Sequence, residues 1–258
     1  MAFSISAQTK TRKTTKKTTK PTIKTTQTTT ATTQETVKTP AKKNERPTGE
    51  TSANQTPKTN SNNLENSVYF YEFSQPNFLV SKIFIEHDEQ GKGKITFQKR
   101  DFGEDITDPL QLTTATLERI KNALNVLDFI NSSENYQYEK DYSHLGKIKI
   151  KVKKDGRERI AEFNWTQNKE ARILMDEYRK IAQQYVWIFD INVARQNQPL
   201  QAPGLMDTLD GYIRRNEISD PPQMIPFLRE LSNDERIPLI ARNHATKLIT
   251  QIEKDGKK

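Results

Sequence analysis

Apolar positions fall into three regimes along this chain. Up to residue 66 they are sparse and aperiodic, from Ser67 to Arg195 they alternate and then take helical spacing, and beyond Asn197 the spacing is helical throughout. The segment Asn168 to Arg195 organises the rest. Ala171, Leu174, Tyr178, Ile181, Tyr185 and Ile188 recur every three or four residues and share one helical face, with Lys169, Arg172, Asp176, Arg179 and Gln183 mostly opposite. From Val186 to Phe189 the apolar run is unbroken, so this end of the helix is expected to be enclosed nearly all round. The segment reads as a junction between two lobes.

Ahead of it the pattern is mainly that of strands. Ser67 to Phe73 is rich in Val, Tyr and Phe, Phe78 to Glu86 continues after Pro76, and Lys94 to Lys99 returns with Ile95 and Phe97 on one face. Asp101 to Leu112 reads as a loop. Thr113 or Thr114 caps a helix reaching Ile130, with Leu117, Ile120, Leu124 and Leu127 as its buried stripe. Asp155-Gly156 is a type I′ hairpin signal that fixes a register. It sets Lys153 opposite Glu158, Lys149 opposite Glu162, Lys147 opposite Asn164, Ile150 opposite Ala161 and Ile148 opposite Phe163. The row Lys147, Lys149, Lys151 and Lys153 is therefore expected to be a solvated face partly neutralised by glutamates, rather than a phosphate grip. Val152 falls opposite Arg159, whose stem can cover it.

After a linker at Asn197 to Ala202, Pro203 opens a helix marked by Leu205, Met206, Leu209, Tyr212 and Ile213. Asp220-Pro221-Pro222-Gln223 signals a second, with Asp220 as cap and an apolar face of Met224, Phe227, Leu228 and Leu231. A last helix from about Pro238 uses Ile240, Ala241, Ala245, Leu248, Ile249 and Ile252. Residues 220–254, which begin DPPQMIPFLRELSNDERIPLIARNHATKLITQI, resemble a HEAT repeat, with Asp234 in the turn and Arg242, Ala245 and Leu248 in repeat-like places. The resemblance covers this one helical pair and implies protein binding through a helical surface; a helical cap on the first lobe is the alternative reading.

The expected fold is α+β: a largely antiparallel sheet of about five strands with packed helices, followed by a small all-α C-terminal lobe. The expected divisions are 1–66, a disordered Thr/Lys-rich tail; 67–196, the α+β domain; and 197–258, the helical lobe.

Charge changes the picture for the tail alone. Residues 1–66 hold 12 of the 41 Lys+Arg and 4 of the 33 acidic residues, a net of +8, which leaves 29 of each sign in the remainder. Twenty of those 66 residues are Thr, and Pro21, Pro40, Pro47 and Pro57 interrupt any regular element, so disorder is expected. KTPAKK is similar to lysine-rich tails of chromatin-associated proteins. Lys10, Arg12, Lys13, Lys16, Lys17, Lys20 and Lys24 are the candidate polyanion contacts. A plain spacer and threonine modification are the competing readings of the same stretch.

Candidate chemistry is scarce. The absence of cysteine excludes disulfides, thiolate zinc sites and cysteine nucleophiles. No apolar run approaches the ~20 residues of a membrane span, and Met1 to Lys20 holds no signal-peptide core. Motifs for phosphate, dinucleotide, zinc-protease or nucleophile-elbow chemistry do not occur, and nine glycines leave little for phosphate-cradling loops. DEQGKGKITF resembles the start of an EF-hand loop through Asp88, Gly93 and Ile95, but Gln90, Lys92 and Lys99 occupy ligand places, so a hairpin turn is the expectation. His87 lies among Glu86, Asp88 and Glu89, which strand alternation points in different directions. His144, before a strand, is the candidate for a polar site or a structural role. His244 is expected at a surface or interface on the last helix. Asp190 and Arg195 are expected to form an ion pair at the lobe junction.

These readings lead to a non-enzymatic interaction or scaffold protein, cytoplasmic, without cofactor or bound metal, and with a protein partner. One alternative is nucleic-acid association through residues 1–66. The other is an enzyme with a site near His144 assembled from residues distant in sequence.

Overall fold

A computed structural model describes residues 68–256. In chain order it contains β1 (Val68–Ser74), β2 (Val80–Asp88), β3 (Lys92–Lys99), β4 (Asp105–Gln111), α1 (Thr114–Val126), β5 (Lys147–Lys154), β6 (Arg157–Phe163), α2 (Lys169–Asn197), α3 (Ala202–Arg214), α4 (Ile225–Ser232) and α5 (Leu239–Asp255). The strands form one antiparallel sheet in the order β4-β3-β2-β1-β5-β6. This is the α+β architecture expected, with a helical region at the C-terminus. β1 is central because it pairs with both β2 and the distant β5. Alternation along it sends Tyr69 and Tyr71 into the core.

The sheet has six strands, one more than the sequence pattern shows, because the expected loop before α1 contains β4. Pro109 explains both the strand's position and its concealment. Leu112 N donates to Gly91 O at 2.8 Å, and alternation extends this inward-bonding phase to Leu110, Asp108 and Ile106. Pro109 is in the opposite phase, so the N–H it lacks would point away from β3. That position suits proline on an edge strand. The β5–β6 register is as expected for Lys153↔Glu158, Lys149↔Glu162, Ile150↔Ala161, Ile148↔Phe163 and Val152↔Arg159. Asp155 and Gly156 both have positive φ, 51° and 72°, as a type I′ turn requires. Lys147 and Lys149 pair with Glu162 and Lys153 with Glu158, while Lys151 lies over the Phe70 ring at 4.1 Å. Arg159 reaches Phe129 O, Tyr136 Oη and Glu134 O, holding the 129–136 segment close to β6.

Thr113 caps α1 through Thr116 N. The helix ends at Val126 rather than Ile130, because Asp128 takes a left-handed φ of 43° and Phe129 N folds back to Leu124 O at 3.0 Å. Leu127 and Phe129 are buried nonetheless.

α2 serves two hydrophobic cores. Ala171, Leu174, Tyr178, Ile181 and Ala182 join the sheet cluster, whereas Trp187 and Ile191 join a cluster with Met206, Leu209, Leu228 and Leu248. The unbroken run Val186–Phe189 follows from passage between them. Val186 and Phe189 pack toward the sheet and Trp187 and Ile188 toward the helices. Enclosure is less complete than expected, for Val186, Ile188 and Phe189 are half-buried. A buried carboxylate braces the junction: Glu177 accepts from Arg119 Nε at 3.0 Å, Ser219 Oγ at 3.3 Å and Lys180 Nζ at 3.3 Å. Arg119 also donates to Ser219 O at 2.9 Å. These contacts tie α1, α2 and the segment before α4 together.

Two helix starts differ from expectation. Asp220 does not cap with its side chain: Pro222 lacks the N–H at the second helical position, and Gln223 N, at the third, donates to Asp220 O at 3.1 Å instead. A short 3₁₀ turn, Pro221–Met224, leads into α4 instead. In α5, Ala241, Ala245, Leu248 and Ile252 form the buried stripe, and Ile240, one residue out of phase, is 68% exposed.

Candidate functional site

A large apolar concavity lies where β1, β2 and β5 run out beneath α2. Phe73 pairs with Ile83 on one side and Ile148 on the other, so three apolar side chains form a row on the core face of the sheet. One row further in, Tyr71 and Tyr178 stack at 4.9 Å and close the space. One helical turn beyond Tyr178, α2 presents Ala182, which is too small to fill the gap over the next row. The result is a groove of about 730 Å³ with a floor of Phe73, Val80, Ile83, Ile148, Met175 and Val186. Phe78 and Leu79 in the β1–β2 turn, Leu145 before β5, Trp165 after β6 and Tyr212 of α3 complete the walls. Phe78, Leu79 and Leu145 are 44%, 47% and 39% exposed. Apolar surface of this kind, concave and open, marks a place where another apolar surface is buried.

Arg179 is the charged residue in the lining, and it and Gln183 reach charged neighbours outside the groove. Arg179 pairs with Asp176 at 3.1 Å, and Arg215 with Glu217 at 2.9 Å; Gln183 donates to Glu217 at 3.3 Å. The Arg215 guanidinium holds the Glu217 carboxyl below the usual carboxylate range. Burial, with Glu217 and Asp190 adding to it, pushes the Tyr212 phenol up, so it stays protonated near neutral pH. The arrangement offers an apolar trough with few charged groups in its wall.

The residues singled out from the sequence lie apart. His144 is in a 3₁₀ turn, Ser143–Leu145, with an exposed side chain edge-on to Tyr142 at 6.0 Å. Its backbone carbonyl accepts from buried Gln75 Nε2 at 2.9 Å. A polar hollow of about 520 Å³ alongside is lined by Asp141, Lys147 and Glu162, but the His144 ring is not part of its wall. The expected Asp190–Arg195 pair does not form. Five residues on a helix turn the two side chains about 140° apart. Asp190 instead binds Lys99, which is flanked by Phe102 and Phe189, and Arg195 binds Glu230 and Asp234. Each pair ties α2 to a different partner, β3 in one case and the region of α4 in the other. Lys10, Arg12, Lys13, Lys16, Lys17, Lys20 and Lys24 fall outside the described residues, as does the tail whose disorder was expected.

The other two histidines are structural contacts. His87 is buried, stacked on Tyr69 at 5.0 Å, with Nδ1 2.9 Å from Asp88 O and Nε2 2.9 Å from Tyr178 Oη. A carbonyl only accepts, so Nδ1 carries the proton and Nε2 receives the phenol hydrogen. The Asp88 carboxylate takes the Gln90 and Lys92 N–H groups at 2.9 Å each, which makes it the brace of a hairpin turn. Among the described residues no group of three His, Asp or Glu side chains is placed to hold a metal ion, and no helix is long and apolar enough to cross a membrane. His244 of α5 lies between Asp207 at 3.3 Å and Asp210 at 3.6 Å on α3.

Sequence reasoning missed the groove. Phe78 and Leu79 read as the start of a strand, whereas the strand begins at Val80. Pro76-Asn77 was the available signal that the turn runs on. No family model matches the chain, and no curated protein matches it either.

Proposed function

We propose that this chain is a non-enzymatic protein-interaction module and that the groove between the sheet end and α2 is its contact site. The observation that carries the reading is the exposure of Phe78, Leu79 and Leu145 around an apolar floor. Leaving such surface in water is unfavourable by roughly 25 cal/mol per Å², which a partner's apolar surface relieves. The α4–α5 pair, whose sequence resembles a HEAT repeat, supports the same reading by exposing Leu239 and Ile240 at 61% and 68%. A photo-crosslinking residue placed at Gln183, on the groove rim, tests it in the full chain within extract of the source cells. Protein adducts are expected from that position and not from Thr107 on the far edge strand, and Leu79→Asp should abolish them. Equal labelling from both positions, or none from Gln183, would sink the reading.

A second reading rests on the charge distribution. The +8 of residues 1–66 stands beside a body of zero net charge, and it supports polyanion contact through the tail. Replacing Lys10, Arg12, Lys13, Lys16, Lys17, Lys20 and Lys24 by Gln in the full chain should flatten the salt dependence of nucleic-acid binding. Each duplex phosphate that the tail no longer neutralises reduces the log–log slope by about 0.9. An unchanged slope removes this reading.

A further inference from the structure

We infer that the uncovered face of the sheet is a stacking platform for single-stranded nucleic acid, with Phe70 and Phe84 as the rings on which bases lie. This rests on the polyanion reading above for its ligand and adds a site on the folded body. Alternation along the strands sends Tyr69, Tyr71, Ile85, Ile95 and Ile150 into the core shared with α1 and α2. The opposite phase holds Phe70, Phe84 and Ile160, and these belong to neither core. A phenylalanine outside every core gains little from burial. Two of them meet here on the adjacent strands β1 and β2, half-buried, with ring centroids 6.1 Å apart and planes tilted by 41°.

Charge beside the rings points to a phosphate backbone. Among the described residues Lys147, Lys149 and Lys153 pair with Glu162 or Glu158, whereas Lys82 and Lys151 have no carboxylate partner. Lys82 is exposed two residues from Phe84, and both line a shallow depression of about 360 Å³. Lys151 Nζ lies 4.1 Å from the centre of the Phe70 ring. Such a contact is weak at an exposed site, and a stacked base displaces the ammonium towards its own phosphate. Each ring thus has an unpaired cation beside it, the combination that holds single strands with little regard to sequence. Glu86, which also meets Lys94 at 3.6 Å, and Glu72 stand opposite Phe70 and Phe84 in the register. A carboxylate there accepts from the amino groups of bases. A duplex keeps its base faces stacked internally and offers the rings nothing. The +8 of residues 1–66 is covalently joined to β1, the strand that carries Phe70, so a single ligand can meet both.

Binding of the full chain to a labelled RNA of about 12 nucleotides, and to the same sequence as a duplex, is followed by fluorescence anisotropy at moderate ionic strength. Wild type should bind the single strand more tightly than the duplex. Phe70→Leu with Phe84→Leu should weaken single-strand binding by about tenfold or more and leave the duplex unchanged. The slope of affinity against salt should stay as it was, since no cation is lost, and the far-UV circular dichroism spectrum should be that of wild type. Lys82→Gln with Lys151→Gln should instead lower the slope by about 0.7 for each phosphate contact removed. Ultraviolet crosslinking of the wild-type complex, which depends on no variant folding, should place adducts on peptides from β1 and β2. Unchanged single-strand affinity in the folded aromatic variant overturns the inference, as does equal wild-type affinity for the two forms, or adducts confined to residues 1–66. If the seven tail substitutions flatten the slope while the aromatic variant binds as wild type does, the sheet site falls and the tail reading stands. Loss of affinity in the aromatic variant with an unchanged slope in the tail variant keeps the sheet site and removes the tail. Wild-type chain that binds neither form removes both.

Discussion

At the scale of single residues, His87 shows how burial decides protonation. Desolvation lowers its pKa below the usual histidine value, with only partial opposition from the Asp88 carbonyl and carboxylate. Its partner Tyr178 is pushed up by burial, so the phenol hydrogen stays in place to be shared with Nε2. The native state therefore holds His87 neutral. Below about pH 6.5 the unfolded chain gains a proton that the folded chain refuses, and stability falls as pH drops through that value. The wild-type urea midpoint is expected to fall between pH 7.5 and 5.5. His87→Gln, which keeps an amide to meet Tyr178, should fall less over the same interval. Parallel curves for the two proteins would show that His87 contributes nothing. The carboxylates held low by arginine, Asp234 and Glu217, act in the same direction but at more acid pH, where they begin to protonate.

Among the elements, α2 depends most visibly on how it begins. Asn168 Oδ1 accepts from Glu170 N and Ala171 N, both at 3.0 Å, while its amide reaches Glu134 at 3.1 Å. Asn168→Ala leaves those donors to water and is expected to cost about 1 kcal/mol, read from the denaturant midpoint at constant slope. A loss under a few tenths would mean that the helix is held by packing alone. The elements also differ in how openly the sequence declares them. β5 and β6 were legible because Asp155-Gly156 admits few backbone conformations, and the register then follows by counting. β4 was not, because Asp105, Asp108 and Pro109 are residues strands usually avoid, and the edge position that tolerates them is a tertiary fact. The end of α1 was misplaced for a related reason. Leu127 and Phe129 continue the apolar pattern, yet reach the core from a turn rather than from the helix.

For the whole molecule, two cores on one helix predict one unfolding event. The chain has two tryptophans, and they sit in different halves. Trp165 lines the groove at the sheet end, and Trp187 is buried among the helices with its indole N–H on Leu205 O at 2.8 Å. Trp187→Phe leaves Trp165 as the reporter and Trp165→Phe leaves Trp187. In each variant, fluorescence and circular dichroism should give the same urea midpoint. Separate transitions would mean that the halves are independent. The groove is a property of this scale too. Its walls come from five stretches spread between Phe73 and Tyr212, none with a local signature, and its depth depends on the small Ala182 falling opposite the sheet row next to that of Tyr71. Asp190 and Arg195 were recognisable as polar residues near a junction, but the partners that claimed them, Lys99 and Asp234, lie far off in the chain.

The continuous helix between Ile181 and Trp187 also acts as a phase lock. One residue inserted there would rotate everything beyond it by about 100° and advance it by about 1.5 Å. The helical cluster would then turn as a body against the sheet, and Lys99 would lose Asp190 while Arg119 would lose Ser219. Length at this point is thus constrained more tightly than side-chain identity, and deletions or insertions should be tolerated far better in the β3–β4 turn around Gly103 than by a single step here.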